Sequence, residues 1–553
     1  IRDRSPSRGL GDVYKRQIAS RLGRWADEKP DSPAIVEISS GKQKTFKELE
    51  NESSLLASGL IQSGMKPGNR VLLMVPYGID FVILAFAMFK AGLVSVLIDP
   101  GLGKINVLKC IKQIQPQGMI AISLAHAIRK LIPTTFKSIE HNVTVGKRWF
   151  WGGTTLKQLQ DSRQTGFKMA SMEEDDAAAI LFTSGSTGPA KGVLYTHGIF
   201  NHQVRVLQEQ FDIQPDEIDL PSFPLFGLFN SGLGVTSIIP EMDATRPAQV
   251  EPKNIIGPIN DFKISSSFGS PALWDTVSQF CRNKNIQLPT LKRIIMAGAP
   301  VSGKLLQRFE NIVTEDCKIH TPYGATEALP VSLIDRQEIL EQTWQFSNKG
   351  EGICVGRAIP KVEIRIIAIS DHPILKWEEA IQLTPNTVGE IVIKAPWATR
   401  TYYNREDLTK LAKITDGNSF WHRMGDVGRL DEKNRLWFYG RKNQRVITEV
   451  KTLYTIPCEA IFNQHPDVKR SALVGIGLRN KKEPIIVIEP ANLNRLKSPM
   501  ALNKFKEELL ECGAKTTITQ SIKKILFYPK FPVDVRHNAK IFREKLSLWA
   551  EKQ

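Results

Sequence analysis

Ile180-Leu181-Phe182-Thr183-Ser184-Gly185-Ser186-Thr187-Gly188-Pro189-Ala190-Lys191-Gly192-Val193 is an apolar run that opens into a loop of four hydroxyls, three glycines and one lysine. Glycines allow successive backbone N–H groups to turn toward one bound anion without steric penalty. The hydroxyls add donors, and Lys191 adds a charge on a flexible stem for phosphate oxygens. Thr183, Ser184, Gly185, Ser186, Thr187, Gly188 and Lys191 are therefore candidate phosphate contacts. The spacing differs from the Gly-x-x-x-x-Gly-Lys-Ser/Thr phosphate loop. An ordinary Ser/Gly turn is the plain alternative, but the apolar strand and the order of residues both weigh against it.

Outward from this loop, helix and strand patterns alternate from about Ile18. Phe46 to Ser63 has the apolar spacing of an amphipathic helix, and Arg70 to Val75 reads as a strand. A buried helix over Asp80 to Ala91 leads into a buried strand over Leu93 to Ile98. Further strands are expected at Ala178 to Phe182, Arg293 to Met296 and Gly389 to Ile393. Such alternation predicts an α/β fold with mostly parallel, helix-covered sheets. From Gly440 the texture changes. Phe438 to Gln444 is polar and turn-like, and short elements follow at Ala472 to Ile476, Ile485 to Ile488, Ser498 to Cys512 and Ile522 to Tyr528. The expected organisation is a large N-terminal domain over 18–440 and a small mobile α+β lid over 441–553, with a hinge at 441–444. Residues 1–17 hold five Arg and Lys without an apolar period, resemble translated adapter read-through, and are set aside as a non-native leader.

A chain of 553 residues exceeds one compact core. With 42% hydrophobic and 24% charged residues it has the composition of a folded globular protein. The net charge of +17 favours anionic partners, yet no zinc-finger spacing and no basic run interleaved with aromatics points to nucleic acid. The six cysteines are scattered and form no Cys-x-x-Cys pair, which suits free thiols in a reducing compartment. The apolar run around Phe81 to Phe89 is too short to cross a bilayer. A cytoplasmic protein is expected, with peripheral contact to a membrane or to other enzymes left open.

Five further segments stand in a definite order. They are Met296-Ala297-Gly298-Ala299-Pro300, His320-Thr321-Pro322-Tyr323-Gly324-Ala325-Thr326-Glu327, Arg423-Met424-Gly425-Asp426, and Gly440-Arg441, with Ala539-Lys540 near the end. Together with the loop they resemble the adenylate-forming superfamily of acyl-CoA synthetases, luciferases and peptide-synthetase adenylation domains. The resemblance covers nearly the whole chain after Gln17. It implies ATP and magnesium (Mg2+) as cofactors and an active site between two domains that rotate between half-reactions. By the same match Gly298, Ala299 and Pro300 pass the adenine, Tyr323 stacks on it, and Gly324 and Ala325 flank it. Thr326 contacts the α-phosphate, and Glu327 with Thr187 holds the metal. Asp426 takes the ribose hydroxyls, Arg441 contacts ribose or phosphate, and Lys540 is the catalytic lysine that bridges carboxylate and α-phosphate. Thr326 and Glu327 complete the catalytic set. The hinge motif departs from the usual pattern at Lys442 and Asn443, and the usual Gly-Lys is Ala539-Lys540.

The carboxylate is read from Pro221-Ser222-Phe223-Pro224-Leu225-Phe226-Gly227, where many ligases carry Pro-x-Phe-His. Gly227 stands in place of the histidine, and a small residue is expected to leave room. Phe223, Phe226 and Gly227, with Phe268 and Gly269, are the expected walls of an acyl pocket; core packing is the plain alternative. Several strings resemble one branch, the olefin β-lactone synthetases: Ile239 to Pro247, Tyr323 to Pro330 and Arg536 to Leu546. That resemblance implies adenylation of a long-chain 2-alkyl-3-hydroxy acid, followed by attack of its own 3-hydroxyl to give a β-lactone. His197, His320 and His537 are candidate aids to that deprotonation. The alternatives are a long-chain acyl-CoA ligase and a non-catalytic acyl- or nucleotide-binding protein.

Overall fold

The computed structural model describes residues 17–161, 167–183, 190–534 and 540–553. Two helix-covered sheets build most of it. In the seven-stranded sheet the order is Thr154–Thr155, His141–Val145, Gly118–Ile122, Arg70–Met74, Val94–Ile98, Ala177–Thr183 and Lys191–Thr196. All its ladders are parallel except the last, which pairs Thr183 with Lys191 across the phosphate-loop candidate. The nine-stranded sheet has six parallel strands, from Pro33–Glu37 through Thr236–Ile239, Ile218–Pro221, Ser266–Gly269 and Arg293–Met296 to Lys318–Ala325. Antiparallel strands close both its edges.

The helices follow from local chemistry. Thr45 and Glu48 form a reciprocal capping box at the start of Phe46–Gln62, satisfying two otherwise orphaned backbone donors. Ile79–Lys90 is apolar on every face and buried along nearly its whole length, as such a helix must be. Its terminal Lys90 is buried too. Its ammonium is paired with Glu50 at 2.7 Å and donates to Ser53 and Ser54, so the charge is compensated. The predicted strand over Arg293–Met296 is found as read, and the other predicted elements agree to within a few residues at their ends. All six cysteines are free thiols, five of them buried. Among the described residues no helix is long and apolar enough to cross a membrane.

One layer was not legible. Glu363–Ile367, Gly389–Lys394, Ser419–Leu430, Leu436–Arg441, Ile353–Cys354 and Lys413–Asp416 form a six-stranded, wholly antiparallel sheet. The reading of Phe438 to Arg441 as a turn is corrected. Those residues end a strand whose partner is Ser419–Leu430, and only Lys442–Gln444 turns, as a single 3₁₀ turn. After it come Val468–Ile476, Glu483–Pro490 and Lys524–Phe527 in one three-stranded sheet, and the helices Thr455–Phe462, Pro499–Ala514 and Arg543–Ala550.

A buried ion cluster ties the antiparallel sheet to the 3₁₀ turn. Arg423 holds Glu390 with two hydrogen bonds, at 2.7 and 3.0 Å, and both side chains are almost fully buried. Lys442 reaches the same carboxylate at 2.8 Å. Replacing Glu390 with Gln leaves a buried guanidinium and an ammonium without their counter-charge. We expect a loss of about 3–5 kcal/mol in unfolding free energy by urea titration; a loss under about 1 kcal/mol would show that the cluster is dispensable.

Candidate active site

Strands of the two sheets meet where Lys191, Tyr402 and Glu327 come together, at the carboxyl ends where open α/β sheets place their ligands. Thr326 and Glu327 are the two-residue tip of the hairpin that joins Lys318–Ala325 to Ala328–Asp335. Three residues on two segments hold this tip. Tyr195 donates its hydroxyl to the Thr326 carbonyl. The Thr399 amide donates to the Glu327 carbonyl at 2.8 Å. Tyr402 donates its hydroxyl to a Glu327 carboxylate oxygen at 2.6 Å. Tyr402 also bridges to Val193, beside the phosphate loop, and its ring lies 4.9 Å from the Lys191 ammonium. Glu327, Tyr402 and Lys191 thus form one cluster.

The charges in this cluster are tuned by burial. Burial works to raise the Glu327 carboxyl, but His422, Tyr402 and Lys191 outweigh it and leave it below the usual carboxylate value. Burial pushes His422 down to about 3, so the imidazole is neutral at pH 7 and the lasting pulls on Glu327 come from Tyr402 and Lys191. Lys191 is itself lowered, first by burial and then by Arg441 and Arg405, although Glu327 opposes this. Lys413, whose ammonium donates to the Thr399 carbonyl, is pushed down to about 7 by burial. A carboxylate kept ionised at a hairpin tip is a suitable ligand for a hard cation.

Asp426 and Arg441 face each other across the antiparallel sheet, 2.9 Å apart. Tyr323 donates to the other Asp426 oxygen at 2.6 Å. Arg441 reaches Asp426 as an ion pair but is poorly aligned for a hydrogen bond, which leaves one buried carboxylate oxygen with an open acceptor. That acceptor fits a sugar hydroxyl. Gly298 lies just past Arg293–Met296 at φ +95°, in the left-handed region that favours glycine, with Ala299 and Pro300 after it. Gly324 has no room for a side chain: a Cβ there would meet the Ala328 carbonyl at 2.7 Å.

Ser184, Gly185, Ser186, Thr187 and Gly188 lie outside the described residues; Thr183 and Lys191 flank them in register. Lys540 sits apart from the Glu327 cluster in sequence and in secondary structure. The Asp534 amide donates to its carbonyl, the next residue, Ile541, bridges to Val533, and Arg543 is clamped by Glu459. His197 is wholly buried with its ring edge toward Phe89, and His320 packs on Phe211; burial pushes each down to about 4. His537 lies outside the described residues.

In the acyl region Phe226 and Phe268 stack at 3.5 Å, and Phe223 stands half exposed at the mouth. Gly269 packs against Trp274. Behind Phe226 and Phe268 is a small cavity floored by Asp219 and Asn230. The expectation for Gly227 is corrected. The space left by the missing side chain is filled: a Cβ on Gly227 would lie 2.0 Å from the Tyr77 hydroxyl. That hydroxyl is buried without a hydrogen-bond partner among the described residues. Tyr77, Tyr402, Lys413 and His422 are the site residues that the motifs did not announce. None lies in a motif, and each reaches the cleft only through the fold.

A family model described as "AMP-binding enzyme" matches residues 22–403. The chain is 41% identical to an olefin beta-lactone synthetase from Xanthomonas campestris pv. campestris, over 97% of this chain and 98% of that one. It is also 41% identical to an olefin beta-lactone synthetase from Stenotrophomonas maltophilia, over 96% and 98%. Among solved structures, an amide bond synthetase from Marinactinospora thermotolerans superposes with a TM-score of 0.78 at 19% identity, over 96% of this chain and 99% of that one. At that identity the likeness speaks for the fold.

Two predictions follow from the packing and charge of the cleft. Gly227→Ala drives a methyl into the Tyr77 hydroxyl, and overpacking of this kind costs about 1–3 kcal/mol. Adding Tyr77→Phe should recover part of that loss in urea unfolding; equal stabilities for wild type and Gly227→Ala would remove the contact. Lys413 releases its proton near 7 when folded and near 10.5 when unfolded. Between those values the unfolded chain binds more protons, so stability from this group rises with pH. In metal-free buffer, the unfolding free energy of wild type minus that of Lys413→Met should climb from about pH 7 toward pH 10, and a flat difference contradicts the assignment.

Proposed function

Because the chain belongs to the AMP-binding enzyme family, we propose that it is an AMP-forming synthetase that activates a long-chain 2-alkyl-3-hydroxy fatty acid with ATP and closes it to a β-lactone. The observation that carries the first half is the convergence of Lys191, Glu327 and Tyr402 on one side of the cleft, with Tyr323, Asp426 and Arg441 forming a second linked group. The second half is supported by likeness to two olefin beta-lactone synthetases over nearly the full length of each.

In this reading the substrate carboxylate attacks the α-phosphorus of ATP, and pyrophosphate leaves. Lys191 and the loop it ends bind the phosphates. Tyr323 stacks on adenine along the Gly298-Ala299-Pro300 segment, and the open Asp426 oxygen accepts from ribose. Glu327 with Thr187 would hold magnesium, which when bound neutralises phosphate charge. Tyr402 keeps the Glu327 carboxylate oriented and ionised. Lys540 stabilises the charge that develops on the α-phosphate. It is delivered by rotation of the unit after residue 440 about the turn at 441–444. The 3-hydroxyl oxygen then attacks the acyl carbon, its proton is lost, and AMP departs as the four-membered ring closes. Attack within one molecule gains from proximity, and the adenylate supplies the leaving group against ring strain. The acyl chains pack against Phe223, Phe226, Phe268 and Gly269, beside the Gly227–Tyr77 contact. ATP use and the free thiols suit a cytoplasmic setting.

The test is a CoA-free incubation with ATP, magnesium and a 2-alkyl-3-hydroxy fatty acid, with the organic product read by NMR. Expected are β-lactone, AMP and pyrophosphate in equal amounts, and a loss of about a hundredfold or more in pyrophosphate release for Lys540→Ala. Absence of lactone, with a thioester formed once CoA is added, would make the enzyme an acyl-CoA ligase instead.

A further inference from the structure

At the far end of the seven-stranded sheet, several large apolar side chains stand in solvent. The helix Ser123–Leu131 packs inward through Ala125 and His126. Its opposite face carries Leu124, Ile128 and Leu131, which are 62%, 40% and 81% exposed. These positions are four and three residues apart, so they form one stripe about 10 Å long. Beside the start of the helix, the loop after His141–Val145 projects Trp149 and Phe150, 52% and 76% exposed. The two features form one surface. Ser123 donates to the Lys147 carbonyl, and Trp151, buried at the root of the loop, stacks on His126 at 5.6 Å. Scattered exposed apolar residues are ordinary, but five on two adjoining elements make a patch of the kind that marks an interaction site.

Charge selects the partner. From Gly118 to Leu159 the chain has six cations, Arg129, Lys130, Lys137, Lys147, Arg148 and Lys157, against the single acid Glu140. Lys147 and Arg148 directly precede the two exposed aromatics, and Lys130 adjoins Leu131. A tryptophan at the rim, an apolar helix face and flanking cations are the elements that seat a protein at a bilayer interface with anionic headgroups. A protein partner with a matching apolar surface would not require this one-sided charge. The patch also lies on the carboxyl edge of the sheet, the edge on which Thr183 opens the phosphate loop. Three to four strand spacings separate them, roughly 14–19 Å at the usual distance between strands.

We infer that Leu124, Ile128, Leu131, Trp149 and Phe150, ringed by Lys130, Lys147 and Arg148, form a docking surface for an anionic lipid bilayer. The surface turns the edge of the sheet that bears the active cleft toward the membrane, the phase in which a long-chain acid partitions. Docking is independent of the ring-closing chemistry and holds for any apolar carboxylate that the enzyme activates.

Full-length protein is floated with vesicles of phosphatidylcholine alone or mixed with phosphatidylglycerol, at low and high salt. Binding to the mixed vesicles at low salt is expected, with loss at high salt. Trp149→Ser with Phe150→Ser, and separately Lys147→Glu with Arg148→Glu, should each weaken binding at least about tenfold, since each cation near an anionic leaflet contributes on the order of fivefold. These side chains are exposed, so both variants should keep the wild-type melting profile and the wild-type rate of pyrophosphate release on detergent-dispersed substrate. Wild-type binding by both variants overturns the assignment. So does failure of the wild-type protein to float with anionic vesicles, including the case where light scattering shows a dimer that the aromatic substitutions dissolve.

Discussion

The hydroxyl of Tyr402, 2.6 Å from the Glu327 carboxylate, joins pieces of chain that lie far apart in sequence. Glu327 is the tip of a hairpin at one edge of the nine-stranded sheet. Tyr402 lies in the connection that follows Gly389–Lys394 of the antiparallel sheet, and it bridges to Val193 of the seven-stranded sheet. All three sheets therefore touch at one phenol. Its ring lies 4.9 Å from the Lys191 ammonium, so the residue that holds the carboxylate also holds this lysine beside it. A two-residue hairpin tip in water would be free to move; here side-chain and backbone bonds from Tyr195, Thr399 and Tyr402 hold it.

The surroundings of that contact keep charges of opposite sign close without neutralising them. Glu327 stays ionised although burial opposes it, because Tyr402 and Lys191 supply what water would. His422 and Lys413, nearby, respond in the other direction: burial favours their neutral forms, so His422 is uncharged at neutral pH and Lys413 gives up its charge as pH rises through about 7. Lys191 and Arg441 also face this group of charges. Arg441 faces Asp426 across one ladder, and that pair leaves a carboxylate oxygen open.

The acyl region shows how a single missing side chain is read differently at two levels. In the sequence, Gly227 in place of a histidine means space. In the structure Tyr77, which follows Arg70–Met74 of the other sheet, fills it to within 2.0 Å of where a Cβ would stand. A vacancy in one element is cheap to fill from another because close packing favours whatever atoms can reach it. No local pattern around Tyr77 announces this, since the two residues are 150 positions apart. The same holds for the antiparallel sheet. Leu436–Arg441 pairs with the preceding strand Ser419–Leu430 through a short turn and with the distant Ile353–Cys354, and its mixed polarity reads as turn until those partners are known.

The sequence by itself determined the α/β alternation, the buried helix Ile79–Lys90, the strand that ends on the phosphate loop and the ordered motifs that carry family membership. These are legible because periodicity, glycine placement and motif order are properties of neighbouring residues. The tertiary structure alone decided which side chains complete the motifs: Tyr402 on Glu327, Lys413 on Thr399, Tyr77 against Gly227, and Glu390 binding both Arg423 and Lys442. Each depends on a contact across sheets or between distant strands, set by packing and by the need to compensate buried charge. Those demands act on atoms brought together in space, and no window of sequence contains both partners.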